Sequence, residues 1–183
     1  MPRFLNTVAM LCRRALLAAG LVGGLGLLWG QSAGGAASVD LGWPSYGHDA
    51  SNSRTNTTSG GLTRNRVGKL IPSWRKDGIV GVVGTPTVAA GVAYFADLTG
   101  TVWAVDAATG RVRWRSRVAA GTVGATAISG ASLYVASGNT LYALDRRTGT
   151  IRWQTVTNTS SFAQISASPV VVGRLVFVGT ASF

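Results

Sequence analysis

The sequence predicts an all-β chain, a β-propeller of four-stranded antiparallel blades, and three observations carry that prediction. A string of the form Ala-x-Asp-x-x-Thr-Gly-x-x-x-Trp is written twice, from Ala104 to Trp114 and from Ala143 to Trp153. Trp74, Trp114 and Trp153 follow one another at intervals of 40 and 39 residues. Between them, short runs of Val, Ile, Leu and Tyr alternate with Gly, Asn, Asp and Thr clusters, the pattern of strands joined by tight loops. No stretch after residue 40 shows a helical period. A unit of about 40 residues holding four short strands has the size of one propeller blade.

Taken in chain order, the first segment is of a different kind. Arg3, Arg13 and Arg14 make a basic start, residues 15–30 are uncharged and apolar, and small residues follow up to Ala37. That is the layout of a secretory signal peptide over residues 1–37, with cleavage before Ser38. The alternative is an uncleaved membrane anchor, but a spanning helix wants about 20 apolar residues, and this run is shorter and glycine-rich. Arg13-Arg14 lack the flanking residues of a twin-arginine signal. The one cysteine, Cys12, lies in this segment without the small-residue context of a lipoprotein cysteine. The expected mature chain therefore has neither a thiol nor a disulfide, and its expected location is periplasmic, extracellular or at the cell surface.

Residues 38–74 form a leading segment and an expected first outer strand, and residues 75–183 a partial propeller. Its repeats run over about 80–117, 120–156 and 163–183. Their first halves superimpose: TPTVAAGVAYFAD (85–97), ATAISGASLYVAS (125–137) and SPVVVGRLVFVGT (168–180). In the first repeat, strands are expected at about 86–90, 92–97, 101–106 and 112–117. The doubled string then has a structural explanation. Asp106 and Asp145 end a third strand, where a carboxylate accepts turn amides, and Thr109 and Thr148 support the turn. Gly110 and Gly149 supply the positive φ it needs. Trp114 and Trp153 place a large flat side chain on the outer strand, where blades stack.

Charge is sparse and one-sided: 17 Lys and Arg against six Asp and no Glu. From Ser38 onward, fourteen basic residues against six acidic leave +8. Export and the structural use of the tryptophans argue against nucleic acid as a partner. The membrane enters only through the signal segment, if it stays uncleaved. His48 is the only histidine, which excludes a multi-histidine metal site, and it reads as structural rather than as a proton shuttle. Arg111, Arg113, Arg115 and Arg117 alternate along one outer strand. They read either as a docking stripe for an acidic partner or as charge that blocks edge-to-edge pairing, and the second reading is preferred. The connector from Trp153 to Pro169 is longer than its counterparts, and its polar stretch 155–164 is either a functional loop or a neutral insertion.

The doubled string resembles the blade motif of the pyrroloquinoline quinone (PQQ) dehydrogenases and their propeller relatives. WPSYGHDASNSRTN (43–56) followed by LTRNRVGKLIPSW (62–74) is similar to the leading segment of quinoprotein alcohol dehydrogenases, nearest to the polyvinyl-alcohol-dehydrogenase branch. The resemblance implies an eight-bladed propeller, of which this chain holds about three and a half blades, as the N-terminal portion of a longer protein. It implies PQQ and Ca²⁺ as cofactors, an alcohol substrate, and a cytochrome or quinone as electron acceptor. Ser166 falls where that family uses a cofactor-bonding hydroxyl. Ala181 and Ser182 fall on a small-residue stretch that precedes a calcium-binding Glu. Val83 lies near a position that often holds a cofactor-contacting Glu. No catalytic residue and no metal ligand is assigned within the chain, so the chain by itself is expected to be inactive. The second reading is a non-catalytic extracytoplasmic propeller, a protein-binding scaffold or sensor domain. A third, a secreted adhesion or wall-binding module, rests only on the positive charge.

Overall fold

A computed structural model of the chain describes residues 8–11 (backbone only), 42–56, 63–121, 124–160 and 162–181. Apart from β1 (Val8–Leu11), the expected signal segment lies outside the described residues. A four-residue helix, α1 (Arg64–Val67), interrupts the leading segment, where no helical period was legible. It buries no residue, so no apolar stripe was available to announce it.

Two complete antiparallel sheets follow. The first has the order β2 (Thr87–Ala89), β3 (Val92–Ala96), β4 (Thr101–Asp106), β5 (Val112–Arg117). The second has the order β6 (Ala127–Ser129), β7 (Ser132–Ser137), β8 (Thr140–Asp145), β9 (Ile151–Val156). A third sheet is built on β12 (Leu175–Ala181), which pairs with β10 (Gln164–Ile165), β11 (Val170–Val172) and, along its other edge, β1. Residues 42–56 and 63–86, which chain length alone counts toward blades, form a hook and a connector instead. Trp74 lies in irregular backbone rather than in the expected outer strand, because nothing among the described residues pairs with that stretch.

The sheets are stacked face to face, as the period of two requires. Val92, Tyr94 and Ala96 of β3 pack against Leu133 and Val135 of β7, while Ala93 and Phe95 turn to the opposite face. The second sheet uses its other face, through Ala136 and Leu141, against Val176 and Val178 of β12. Strands buried on both faces are therefore apolar through their middles, with polar residues at the ends. The exposed β5 and β9 alternate instead, with Trp114 and Trp153 half-buried between exposed neighbours.

The doubled string acts as a joint between sheets. Asp106 accepts hydrogen bonds from the amides of Ala108 (3.2 Å) and Thr109 (3.1 Å), and Asp145 from Arg147 (2.9 Å) and Thr148 (3.0 Å). Gly110 and Gly149 have φ of +71° and +78°. Each glycine is also a landing site. The Trp114 ring lies so close to Gly149 that an added Cβ would fall 2.5 Å from it, and its Nε1 donates to the Arg146 carbonyl at 3.0 Å. Trp74 repeats this one blade earlier, on Gly110 and the Ala107 carbonyl (2.9 Å). A side chain on either glycine would displace the preceding tryptophan. Trp114 and Trp153 occupy equivalent places, against Tyr94 and Tyr134 with ring centroids 5.9 and 6.0 Å apart.

Candidate functional site at the hub

The first strands of the three sheets adjoin: β6 touches both β2 and β11. They define the hub of the fan, and small residues precede each of them. Gly84-Thr85, Gly124-Ala125 and Ala167-Ser168 stand at the same place in successive repeats. The fit is tight, since a Cβ on Gly84 would fall 2.2 Å from the Gly124 carbonyl oxygen, and one on Gly124 would fall 3.2 Å from that of Ala167. Polar contacts tie neighbouring blades at the same level. Thr87 and Thr126, 0% and 1% exposed, share a hydrogen bond between their hydroxyls, and the Ala125 amide donates to Ser168 Oγ at 2.9 Å.

The leading segment closes this end. Trp43 exchanges two backbone hydrogen bonds with Val88 (2.7 and 2.9 Å), and the Pro44 carbonyl accepts from Ile128 (2.8 Å). The chain then reverses in a hook with three non-glycine residues at positive φ: His48 (+82°), Asn52 (+55°) and Arg54 (+53°). Asp49 holds the hook by accepting from Ser53 Oγ (2.6 Å) and the Ser53 amide (3.0 Å). These contacts, the Ser53 hydroxyl first, lower its carboxyl to about 2. His48 stacks edge-on against Trp43, with centroids 5.0 Å apart. Its Nδ1 faces both Asp49 (3.3 Å) and Ser53 (3.4 Å). A relay needs the two partners on different ring nitrogens, so this trio braces a turn and is not a nucleophilic triad.

Between hook and hub lies a cavity of about 400 Å³, walled by Tyr46, Val83 to Thr85, Gly124, Ala125 and Ser166 to Ser168. Its polar side chains are the hydroxyls of Tyr46, Thr85, Ser166 and Ser168. Arg54 stacks over the Tyr46 ring, 5.7 Å from its centre. Neutral donors can hold an oxygen-bearing ligand, but they cannot take a proton near neutral pH.

Of the residues singled out by the sequence, Ser166 and Val83 both line this cavity. Ala181 sits in β12 opposite Gln164 and is not part of its wall, and Ser182 lies outside the described residues. Tyr46, Thr85 and the paired small residues were missed. Their signal was present in the glycine or alanine that precedes each first strand, which reads as spacing until the strands are brought together. The long connector after Trp153 is partly structural: it forms β10, whose Ile165 is 1% exposed and donates its amide to Gly138 O at 2.7 Å.

The cofactors implied by resemblance can be tested against these residues. The hydroxyls and small residues fit one side of a flat, oxygen-rich quinone. They do not fit Ca²⁺, which takes six to eight oxygen ligands with carboxylates among them. The aspartates of the described residues are committed elsewhere: Asp49 to the hook, Asp77 to Arg75, and Asp97, Asp106 and Asp145 to turns. No group of three or more metal-binding side chains occurs among the described residues.

A family profile named PQQ_2 and described as outer membrane protein assembly factor BamB matches residues 27–183. No curated protein matches the chain. Among solved structures, the quinohemoprotein alcohol dehydrogenase of Comamonas testosteroni superposes with a TM-score of 0.68 at 24% identity, covering 78% of this chain and 23% of that one. A quinohemoprotein alcohol dehydrogenase of Pseudomonas putida HK5 gives 0.68 at 26% identity, with the same shares. BamB of Moraxella catarrhalis gives 0.52 at 25% identity, over 59% of this chain and 34% of that one. The chain thus spans about a quarter of the length of the dehydrogenases and a third of that BamB.

Proposed function

Because the chain belongs to the PQQ_2 family, we propose that its blades supply one arc of the hub of an exported quinoprotein-type alcohol dehydrogenase. The observation that carries this reading is the hub cavity, lined by Ser166, Thr85 and Val83 together with Tyr46. The likeness to the Pseudomonas putida enzyme supports it. The match covers 78% of this chain.

A bound quinone of this class would accept a hydride from an alcohol. The part played by this chain is positional. Ser166 and Thr85 donate hydrogen bonds to ligand oxygens, Tyr46 covers the site, and the small residues at 84, 124 and 167 let backbone approach the ligand. The proton acceptor, the Ca²⁺ carboxylates and the contact to a cytochrome or quinone acceptor belong to residues outside this chain. A location in the periplasm or at the cell surface is supported by the signal-like layout of residues 1–37 and by the family's description.

The second reading, a non-catalytic scaffold, is favoured by the family's description and by the Moraxella catarrhalis likeness. Titration of the full chain with PQQ, with and without Ca²⁺, separates the two. The dehydrogenase reading expects weak, calcium-independent shifts confined to the amides around Tyr46, Thr85 and Ser166, and no alcohol-dependent dye reduction. The absence of any response at the hub supports the scaffold. Tight, calcium-dependent binding with turnover would overturn the single-arc assignment.

A further inference from the structure

A second cavity, of about 440 Å³, opens on the outer part of the first blade, between β5 and the connector at Gly78 and Val80. Its walls include Trp103, Arg115, Arg117, Thr99, Thr101 and Ser116. The strand partners explain the cluster: Trp103 stands opposite Arg115, and Thr101 opposite Arg117. Arg115 lies over the Trp103 ring, 5.6 Å from its centre, and Arg117 Nη1 reaches Thr101 Oγ1 at 3.0 Å and Thr99 Oγ1 at 3.4 Å. Neither guanidinium meets a carboxylate among the described residues.

Asp97 also lines this crevice, but it is 2% exposed and fully engaged. It accepts from the Thr99 amide (2.9 Å), Thr99 Oγ1 (2.6 Å), the Thr101 amide (3.1 Å) and Trp103 Nε1 (3.0 Å). Two cations against one saturated carboxylate leave the crevice positive, with both guanidinium-bearing residues exposed.

The second blade shows which arginines the fold itself needs. Arg113 bridges to Asp106 at 2.8 Å, and Arg152 bridges to Asp145 in the same way, so that pair recurs with the blade. Arg115 and Arg117 do not recur. Their counterparts are Gln154, opposite Tyr142, and Val156, opposite Thr140. There the preceding connector seals the spot, with the Ala119 amide on the Tyr142 hydroxyl (3.4 Å) and Ser137 Oγ donating to the Ala119 carbonyl. A blade therefore closes without arginines at these positions, and in the first blade a crevice opens beside them.

We propose that this crevice binds an oxyanion of phosphate or sulfate size, held by the guanidinium groups of Arg115 and Arg117 and the hydroxyl of Thr101. Planar guanidinium donors suit such anions because two N–H groups reach two oxygens at once. The anion is either free or borne on a lipid headgroup, and the two sources are separable. The test titrates the full chain with inorganic phosphate and, separately, with vesicles of equal parts phosphatidylcholine and phosphatidylglycerol. Amide shifts are followed at Thr99, Thr101 and Ser116, and affinity by calorimetry. Saturable one-to-one binding of phosphate is expected, weakened at least about tenfold in R115Q/R117Q, as the loss of charge-assisted hydrogen bonds implies. The single variants R115Q and R117Q should each weaken it in part. R111Q removes the same charge from the residue just before that strand, outside the crevice, and should leave binding unchanged. Vesicle binding that inorganic phosphate displaces places the lipid headgroup in the same site. Equal losses in R111Q and R115Q/R117Q would reduce the effect to general charge attraction and overturn the proposal. Vesicle binding without any phosphate binding would overturn it as well.

Discussion

Replacing Gly149 by alanine tests the joint between blades most directly. The residue sits at φ +78°, and the new Cβ would lie 2.5 Å from Trp114 Cε3 and 2.8 Å from Cδ2. Two costs add. A side chain in the left-handed region costs about 1–2 kcal/mol. Forcing a methyl group against a packed ring costs about 1–3 kcal/mol more. G149A should therefore lose about 2–5 kcal/mol, the sum of those two ranges. Gly130 provides the control: it lies in the same blade at φ +54°, with nothing within 4 Å of an added Cβ, so G130A bears only the backbone cost. Urea unfolding of the full chain, followed by tryptophan fluorescence and circular dichroism, gives the midpoints at constant slope. In a W114A background the ring is absent, and the extra cost of G149A should fall to that of G130A. Equal losses for G149A and G130A in the otherwise unaltered chain would show that tryptophan docking does not hold the blades together.

Other outcomes follow from the same geometry. Hydrogen bonds, from Arg113 first for Asp106 and from Arg152 first for Asp145, hold both carboxyls at about 2, below the ordinary 3.8. A lowered carboxyl stabilises the fold above its unfolded value, and that stability is lost as pH falls through it toward 2. D106N/D145N should thus lose less stability than the parent between pH 4 and pH 2, by acid titration of the fluorescence signal. T126V leaves the buried Thr87 hydroxyl without its partner and should cost about 1–3 kcal/mol. T87V/T126V removes both hydroxyls and should cost less than the two single changes together, in a double-mutant cycle by urea unfolding. Expressed with its signal in a Gram-negative host, the chain should appear outside the cytoplasm with an N-terminus near Ser38, as read by N-terminal sequencing. An intact Met1 in the cytoplasmic pool would contradict export.

The blades were legible in the sequence because their determinants are local. Strand alternation, turn carboxylates and positive-φ glycines act within a few residues, so 101–106 and 112–117 were bounded as the structure has them. The spacing of Trp114 and Trp153 also announced a repeated packing position. Tertiary structure decided what each feature touches. Gly110 and Gly149 read as turn residues, and only the stacking of sheets shows that each also makes room for a tryptophan about 36 residues upstream. The four alternating arginines looked like one stripe. The folded sheet divides them, because Arg113 finds Asp106 across a bulge while Arg115 and Arg117 face a crevice without a carboxylate for them. Ser166 could be picked out by resemblance, whereas Tyr46, Thr85 and Ser168 become one site only when the first strands of separate repeats meet under the hook. Backbone conformation follows from neighbours along the chain, but a cavity is made by residues tens of positions apart, and their distance is set by how whole sheets pack.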